Sequence, residues 1–404
     1  MLIRRFIFTF FCIVVYRLGV YVPNPGVNIN VLNKILQEQA KNFFLEHALT
    51  GGIFNRISIF TLNIIPYITS SIIVQLILLT YRSSNRNKKK INNKRVFLLT
   101  RFLCVLFSFI QGYGIISSIE FLEYKGEKLF ILNNRLFKIF IVFNLMIGSI
   151  IIIFLAEQIT NKGVGNGNSI MIYSNIVSSL FPSFILFFKK SSSFLYSSLI
   201  SFFIFFLTLF IIIFFEGSRR KLLIFYHHNL MNKNQFYINK DIFLPIKINL
   251  SGAIPSLFAH TFLFFPSAVS EFFFGDNIIK FFSSEKIFIL LYLVLVFIFC
   301  FVYNIVIFNS ENLSQSLKKN DIVVVNHLPG IDTAKYFKYI IKRISLIGSL
   351  YVSFICFISE AFSYKFRFII YFNGTTLLII TSVILEINSQ AISYLLNLTY
   401  FNNK

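Results

Sequence analysis

Ten apolar runs of about 17 residues or more recur along the chain, at approximately 3–20, 61–80, 96–117, 136–156, 168–188, 194–215, 252–271, 287–308, 344–360 and 369–388. At about 1.5 Å per residue, a helix of that length crosses a hydrocarbon layer of roughly 30 Å. Only 13% of the 404 residues are charged and the mean hydropathy is +0.73, whereas a soluble domain carries roughly 25% charge. The chain therefore reads as an all-α polytopic membrane protein with ten transmembrane helices.

An even number of spans places both termini on one side. Putting them inside leaves 24 of the 38 Lys and Arg residues in or beside inner segments and 14 outside, with the largest inner cluster at 82–95. That is the distribution the positive-inside tendency produces, so the net charge of +22 sets orientation and is not the signature of a nucleic-acid binder. The start of the chain has a basic and then an apolar stretch but no small-residue cleavage site, and reads as a retained first helix. Cys12, Cys104, Cys300 and Cys356 fall in four different spans without paired spacing, and read as small core residues.

The second span has an unusual approach. Residues 51–59 hold Gly51, Gly52, Asn55 and Arg56. A charge near the bilayer centre costs about 2.5–3.5 kcal/mol on insertion scales, so this part is expected to be sheltered from lipid. Pro66 follows inside the apolar run, where it is expected to bend the helix. Dividing the ten spans into five and five puts a second interrupted segment, with Gly252 and Pro255, at the matching place in the second half. Interrupted spans at corresponding positions point to an inverted repeat with its functional site between the halves, 1–192 and 193–404. Ile64 and Ile68 are four apart on one helical face around Pro66 and could close an apolar constriction; ordinary helix packing explains them equally well.

Chemistry is sparse. Within the spans Arg101 and His260 are the main ionisable groups, and no nucleophile with a base, carboxylate pair or metal cluster stands out. No enzyme, metal or cofactor is expected. The glycine-rich run at 161–169 lacks a preceding strand and a Lys-Ser/Thr pair, so it reads as a tight loop between spans and not as a nucleotide cradle. Two long inner loops, at about 216–250 and 309–343, carry Arg219, Arg220 and Lys221 and then Lys335 and Lys338, and are candidate docking surfaces. These features admit a passive conduit, a secondary transporter with a midplane site between segments two and seven, or a scaffold subunit.

Longer motifs discriminate among them. YRLGVYVPNPG at 16–26, GGIFNRISIFTLNIIPYITSSIIVQLI from 51, GVGNGNSIMI from 163, EGSRRKLLIFY at 216–226, LPIKINLSGAIPSLFA at 244–259, PGIDTAKYFKYIIKRISLIGSLYVSFICFISE from 329 and FNGTTLLIITSVILEINSQAISYLL from 372 occur in order along nearly the whole chain. Together they resemble the SecY family, the central subunit of the bacterial and plastid protein-conducting channel. The resemblance implies two pseudo-symmetric five-helix halves around a central pore. A plug would lie at about 43–58, including Gly51, Gly52, Asn55 and Arg56. An aliphatic ring would comprise Ile64, Ile68, Ile172, Leu257 and Ile379. A lateral gate would run between helices two and seven, with Pro66, Gln75, Pro255 and His260.

It also implies partners: a SecE-like small membrane subunit, a SecA-like ATPase or a ribosome docking on Arg219, Arg220, Lys221, Lys335 and Lys338, preprotein substrates, the lipid bilayer, and a SecG-like subunit in a bacterium. Where the family carries an arginine before the Pro-Gly pair of the second docking loop, this chain reads NHLPG, with Leu328 in its place and His327 beside it. The Phe-, Ile-, Asn- and Lys-rich composition points to A+T-rich coding, and hence to a plastid thylakoid membrane with both termini stromal, the alternative being a bacterial inner membrane with both termini cytosolic.

Overall fold

The computed structural model describes residues 2–28, 30–31, 57–84, 93–120, 123–124, 127–128, 135–190, 195–226, 242–259, 262–263, 285–366 and 374–402. The expected plug residues Gly51, Gly52, Asn55 and Arg56, and His260, lie outside them. Among the described residues nine helices run 19 to 36 residues: α1 (Leu2–Val20), α2 (Ile65–Ser84), α3 (Asn93–Glu120), α4 (Arg135–Lys162), α5 (Gly167–Lys190), α6 (Leu195–Gly217), α7 (Glu285–Ile307), α9 (Ile331–Phe366) and α10 (Gly374–Asn402). Between α7 and α9 lies the ten-residue α8 (Ser310–Lys319). Five described helical stretches are both long and apolar enough to cross a membrane: Lys94–Ser117, Leu136–Lys162, Ile289–Lys319, Ile331–Ala361 and Gly374–Leu396.

The second span departs from expectation in a physically instructive way. Residues 61–64 form turns, and α2 starts at Ile65. Pro66 is thus in the first helical turn, where a missing N–H removes no intrahelical bond, so it starts this helix instead of bending it. Asn63 makes the turn by adopting a φ of +51°, a left-handed conformation that Asn tolerates better than most side chains. The second half repeats the device. Gly252 has a φ of +61°, again three residues before a proline, and residues 254–259 are helical with Pro255 in the first turn.

In the first half α4 packs against α1, α3 and α5, and α2 packs on α3. In the second half α9 packs along α7 and also meets α6, α8 and α10. Among the described residues the halves meet where α10 packs on α5 and where α2 approaches α7. The largest buried cluster joins them and contains Tyr16, Ile64, Ile152, Ile176, Val296, Ile355 and Leu378. Conversely, lipid-compatible side chains such as Phe10, Phe102, Phe154, Phe210 and Leu290 are exposed on the outer helix faces, as expected where the solvent is hydrocarbon.

The two long inner loops are not irregular. Strand β3 (Arg219–Tyr226) pairs antiparallel with both β4 (Ile242–Lys247) and β5 (Ile322–Val324), giving a three-stranded sheet in the order β4-β3-β5. A separate short hairpin pairs β1 (Glu123–Tyr124) with β2 (Glu127–Lys128). One face of the sheet presents Leu222, Ile224, Ile246 and Val324 to Leu317 of α8 and to Phe337 and Ile341 of α9. This explains why α9 begins at Ile331, well before its apolar run: its first turns form the floor of a subdomain built from the two loops.

Candidate functional site

The five expected ring residues all belong to the largest buried apolar cluster or pack against it. Ile64, Ile172 and Ile379 are buried, and Ile68 and Leu257 are partly buried against the same cluster. They arrive from four places: the entrance and first turn of α2, the first turns of α5, the helical turn at 254–259, and the first turns of α10. Each lies near the start of its helix. The entrance to α2 is braced by the Tyr16 hydroxyl, which donates to Asn63 Oδ1 at 3.3 Å while its ring stacks on Phe60 at 6.0 Å between centroids.

The turn leading into that entrance is tied to the end of α1. Asn24 N donates to the Ile57 carbonyl at 3.0 Å and Ile59 N to the Val22 carbonyl at 3.2 Å, with a bridge between Pro23 and Ser58. Asn144 on α4 adds a bond to Asn24 Oδ1 at 3.2 Å. These contacts hold the point at which the chain emerges from the expected plug segment.

The expected gate pair, α2 and the segment starting at 254, meets through a small apolar cluster. Ile72 of α2, Phe258 of the 254–259 turn and Tyr303 of α7 are buried together, with Ile68, Ile254 and Phe299 against them. Gln75 of α2 lies partly buried with its amide 3.4 Å from Ser71 Oγ, and it also engages the Tyr303 hydroxyl across the α2–α7 boundary. Pro66 and Pro255 are both buried. Among the spans' ionisable groups, Arg101 of α3 forms a bidentate pair with Glu157 of α4 at 2.7 and 3.0 Å, a partnership that spacing alone does not reveal.

Of the expected docking residues, Arg219, Arg220 and Lys221 lie on β3, and Lys335 and Lys338 on the first turns of α9, all exposed. The sheet therefore brings two loops about a hundred residues apart onto one subdomain. At its tip Leu328 is 75% exposed and Ile331 79%. His327 does not project there: its ring stacks on Tyr336 at 3.9 Å and its Nδ1 is 3.4 Å from Asp332 Oδ2. Among the described residues no group of three or more His, Cys, Asp or Glu is arranged to hold a metal ion.

A helical membrane protein of this fold, with an apolar cluster fed by several helix starts and a three-stranded sheet built from two loops, belongs to the class of membrane channels. The chain belongs to the SecY family of protein translocase subunits: the family profile matches residues 58–388. It is 33% identical to the protein translocase subunit SecY of Rickettsia bellii, covering 99% of this chain and 95% of that protein, and 30% identical to that of Escherichia coli K12, covering 98% and 92%. Its fold is similar to a solved protein-conducting channel at a TM-score of 0.70 and 15% identity, covering 97% of this chain and 92% of that one. Sec61 in the canine ribosome-channel complex is similar at a TM-score of 0.65 and 16% identity.

Proposed function

We propose that this chain is the pore-forming subunit of a protein translocase that passes unfolded preproteins across a membrane and releases apolar segments sideways into lipid. The observation that carries this reading is the convergence of Ile64, Ile68, Ile172, Leu257 and Ile379 on one apolar cluster in a chain of the SecY family. A substrate of every side-chain character needs a conduit that binds none of them strongly. Aliphatic side chains offer neither charge nor hydrogen bonds and can close by excluding water. Residues 1–192 and 193–404 act as the two halves, the segment at about 43–58 as the plug, and α2 with the segment from 254 as the lips of the side opening, with Pro66, Gln75, Pro255 and His260 along them. Chemistry in this chain supplies no driving force.

Partners supply it. The exposed cations Arg219, Arg220, Lys221, Lys335 and Lys338 suit an acidic protein or ribosomal RNA, which fits a SecA-like motor or a ribosome, and a SecE-like subunit, joined in a bacterium by a SecG-like one, covers part of the exposed apolar helix surface. Both termini face the cytosol or stroma, and the A+T-rich coding favours the plastid thylakoid over the bacterial inner membrane. Replacing Ile64, Ile68, Ile172 and Ile379 together by Gly is expected to raise ion leak in proteoliposomes carrying the purified complex by about tenfold or more. Unchanged conductance would remove the ring assignment, and saturable uptake of one small solute without preprotein crosslinks to α2 would favour a transporter.

A further inference from the structure

Most buried hydroxyls in the helices bond back to a carbonyl three or four residues earlier in their own helix, as Thr9, Ser108, Ser149 and Thr208 do. Such bonds hold nothing but their own turn. Some buried polar side chains instead bond across elements, and one such cluster lies where the gate segment begins. At the junction between β4 and the 254–259 turn, Asn249 Nδ2 donates to Glu216 Oε1 at 2.7 Å and to the Gly252 carbonyl at 3.1 Å, while Asn249 Oδ1 accepts from Ser251 Oγ at 2.9 Å. Ser251 N in turn donates to Asn304 Oδ1 at 2.8 Å. Glu216, Asn249, Ser251 and Asn304 are all buried, between 0 and 8% exposed. The four come from the end of α6, the exit of β4 and the last turn of α7, so this network joins three separate elements.

Its position gives it a task. The β3–β4 ladder ends at Arg219 opposite Lys247, and one last bond from Ile248 N to the Ser218 carbonyl at 3.4 Å brings the chain directly to Asn249. From there the left-handed Gly252 turns the chain into the segment that holds Leu257 of the ring and Phe258 of the α2 contact. Gly348 of α9 closes the back of the junction: a methyl group there would sit 2.8 Å from the Ile248 carbonyl oxygen. The inner-side sheet and the gate segment are thus separated by the six residues 248–253, held on three sides.

We propose that Glu216, Asn249, Ser251 and Asn304 form a pin that positions the gate segment, holding it against α2 at rest and passing displacement of the β3–β4 sheet to it. This rests on the side-opening reading above. With the pin intact, the amide and carboxylate groups are satisfied only while residues 249–252 keep this geometry; a buried polar group that loses its partner is destabilised, so the closed arrangement is favoured. Breaking the network removes that preference and shifts the gate equilibrium toward open by a factor on the order of 5- to 150-fold, the usual range for coupling between two sites.

The test uses the full complex in proteoliposomes, with a cysteine lock across the gate introduced as Ile72→Cys and Phe258→Cys; the four native cysteines are buried and stay in place. Asn249→Ala is expected to raise resting ion conductance by about tenfold, and oxidising the lock in the same protein is expected to return it to the unsubstituted level. Conductance that does not rise, or that rises and is not returned by the lock, overturns the pin, since a leak from general misfolding cannot be resealed at the gate. A second pair keeps the question decidable if Asn249→Ala does not assemble. Glu216→Gln retains an acceptor for Asn249 Nδ2 and is expected to conduct like the unsubstituted complex, whereas Glu216→Ala is expected to leak and to be resealed by the lock; equal behaviour of the two overturns the proposal. The lock alone separates this inference from its foundation. If the oxidised lock fails to stop preprotein transport, the gate reading itself is wrong; if it stops transport and Asn249→Ala stays tight, only the pin is.

Discussion

Two residues with backbone in the left-handed region, Asn63 and Gly252, set the entrances to the two segments that carry most of the proposed ring. Gly252 has room for a side chain: a methyl group there would meet only Ser382 Cβ, at 3.9 Å. Gly252→Ala should therefore cost only the backbone preference, roughly 1 kcal/mol. Asn63 combines its φ of +51° with the bond from the Tyr16 hydroxyl. A β-branched residue cannot hold that φ without strain, so Asn63→Val should cost more, on the order of 2–4 kcal/mol, from strain and a lost buried bond together. The two variants are compared by the fraction of complex surviving a heating series in mild detergent, with Asn63→Gly expected to lie between them; equal survival of Asn63→Val and Gly252→Ala would refute the strain argument. At this scale the sequence was partly legible. Two prolines at matching positions identified the two entrances, but the role of Pro66 was misread as bending, because whether a proline bends or begins a helix depends on where the first turn lies. That position follows from Asn63, which is unremarkable in a list of polar residues.

At the scale of elements, the apolar runs located most helices to within a few residues, since a lipid solvent leaves hydrophobic length as a strong signal. The inner-side sheet was not legible. Strand β3 reads RRKLLIFY, with apolar residues on both faces, so its alternation is weak, and its partner β5 lies about a hundred residues further on. Burial nevertheless alternates strictly: Leu222 and Ile224 are 5 and 6% exposed, Leu223 and Phe225 39 and 42%. The consequence is testable side by side. Leu222→Ala should leave a cavity against α8 and α9 and destabilise the subdomain by roughly 2–4 kcal/mol, while Leu223→Ala should change it by less than about 0.5 kcal/mol. Hydrogen exchange of the β3 amides reports each; faster exchange in both variants, or in neither, would show that the sheet does not pack as described.

The molecule as a whole is held unequally at its two seams. On the side of the proposed gate, the halves meet through the small cluster of Ile72, Phe258 and Tyr303. At the other seam α10 packs on α5 of the first half and on α6 of the second, Gln390 Oε1 accepts from Gly165 N at 2.7 Å, and Arg5 at the start of α1 both bonds to and lies over the ring of Tyr394. The glycine-rich loop at 163–167, which fitted no chemistry in the sequence, has a mechanical role here as the place where α10 grips the first half. A seam of few apolar contacts opens at lower free energy than one reinforced by hydrogen bonds and helix packing, so separation of the halves should pivot about α10 and proceed where α2 faces the segment from 254. Tethering the halves at each seam in turn decides this. A short bis-maleimide bridge between Arg5→Cys and Tyr394→Cys should leave preprotein transport within about twofold of the untethered complex, because a pivot does not need to part, whereas the oxidised Ile72→Cys/Phe258→Cys lock should reduce it by about tenfold or more. The opposite ranking would place the opening at the α10 seam and require the direction of gating to be redrawn, while equal inhibition by both would mean that the halves move apart as a whole and that neither seam serves as a hinge.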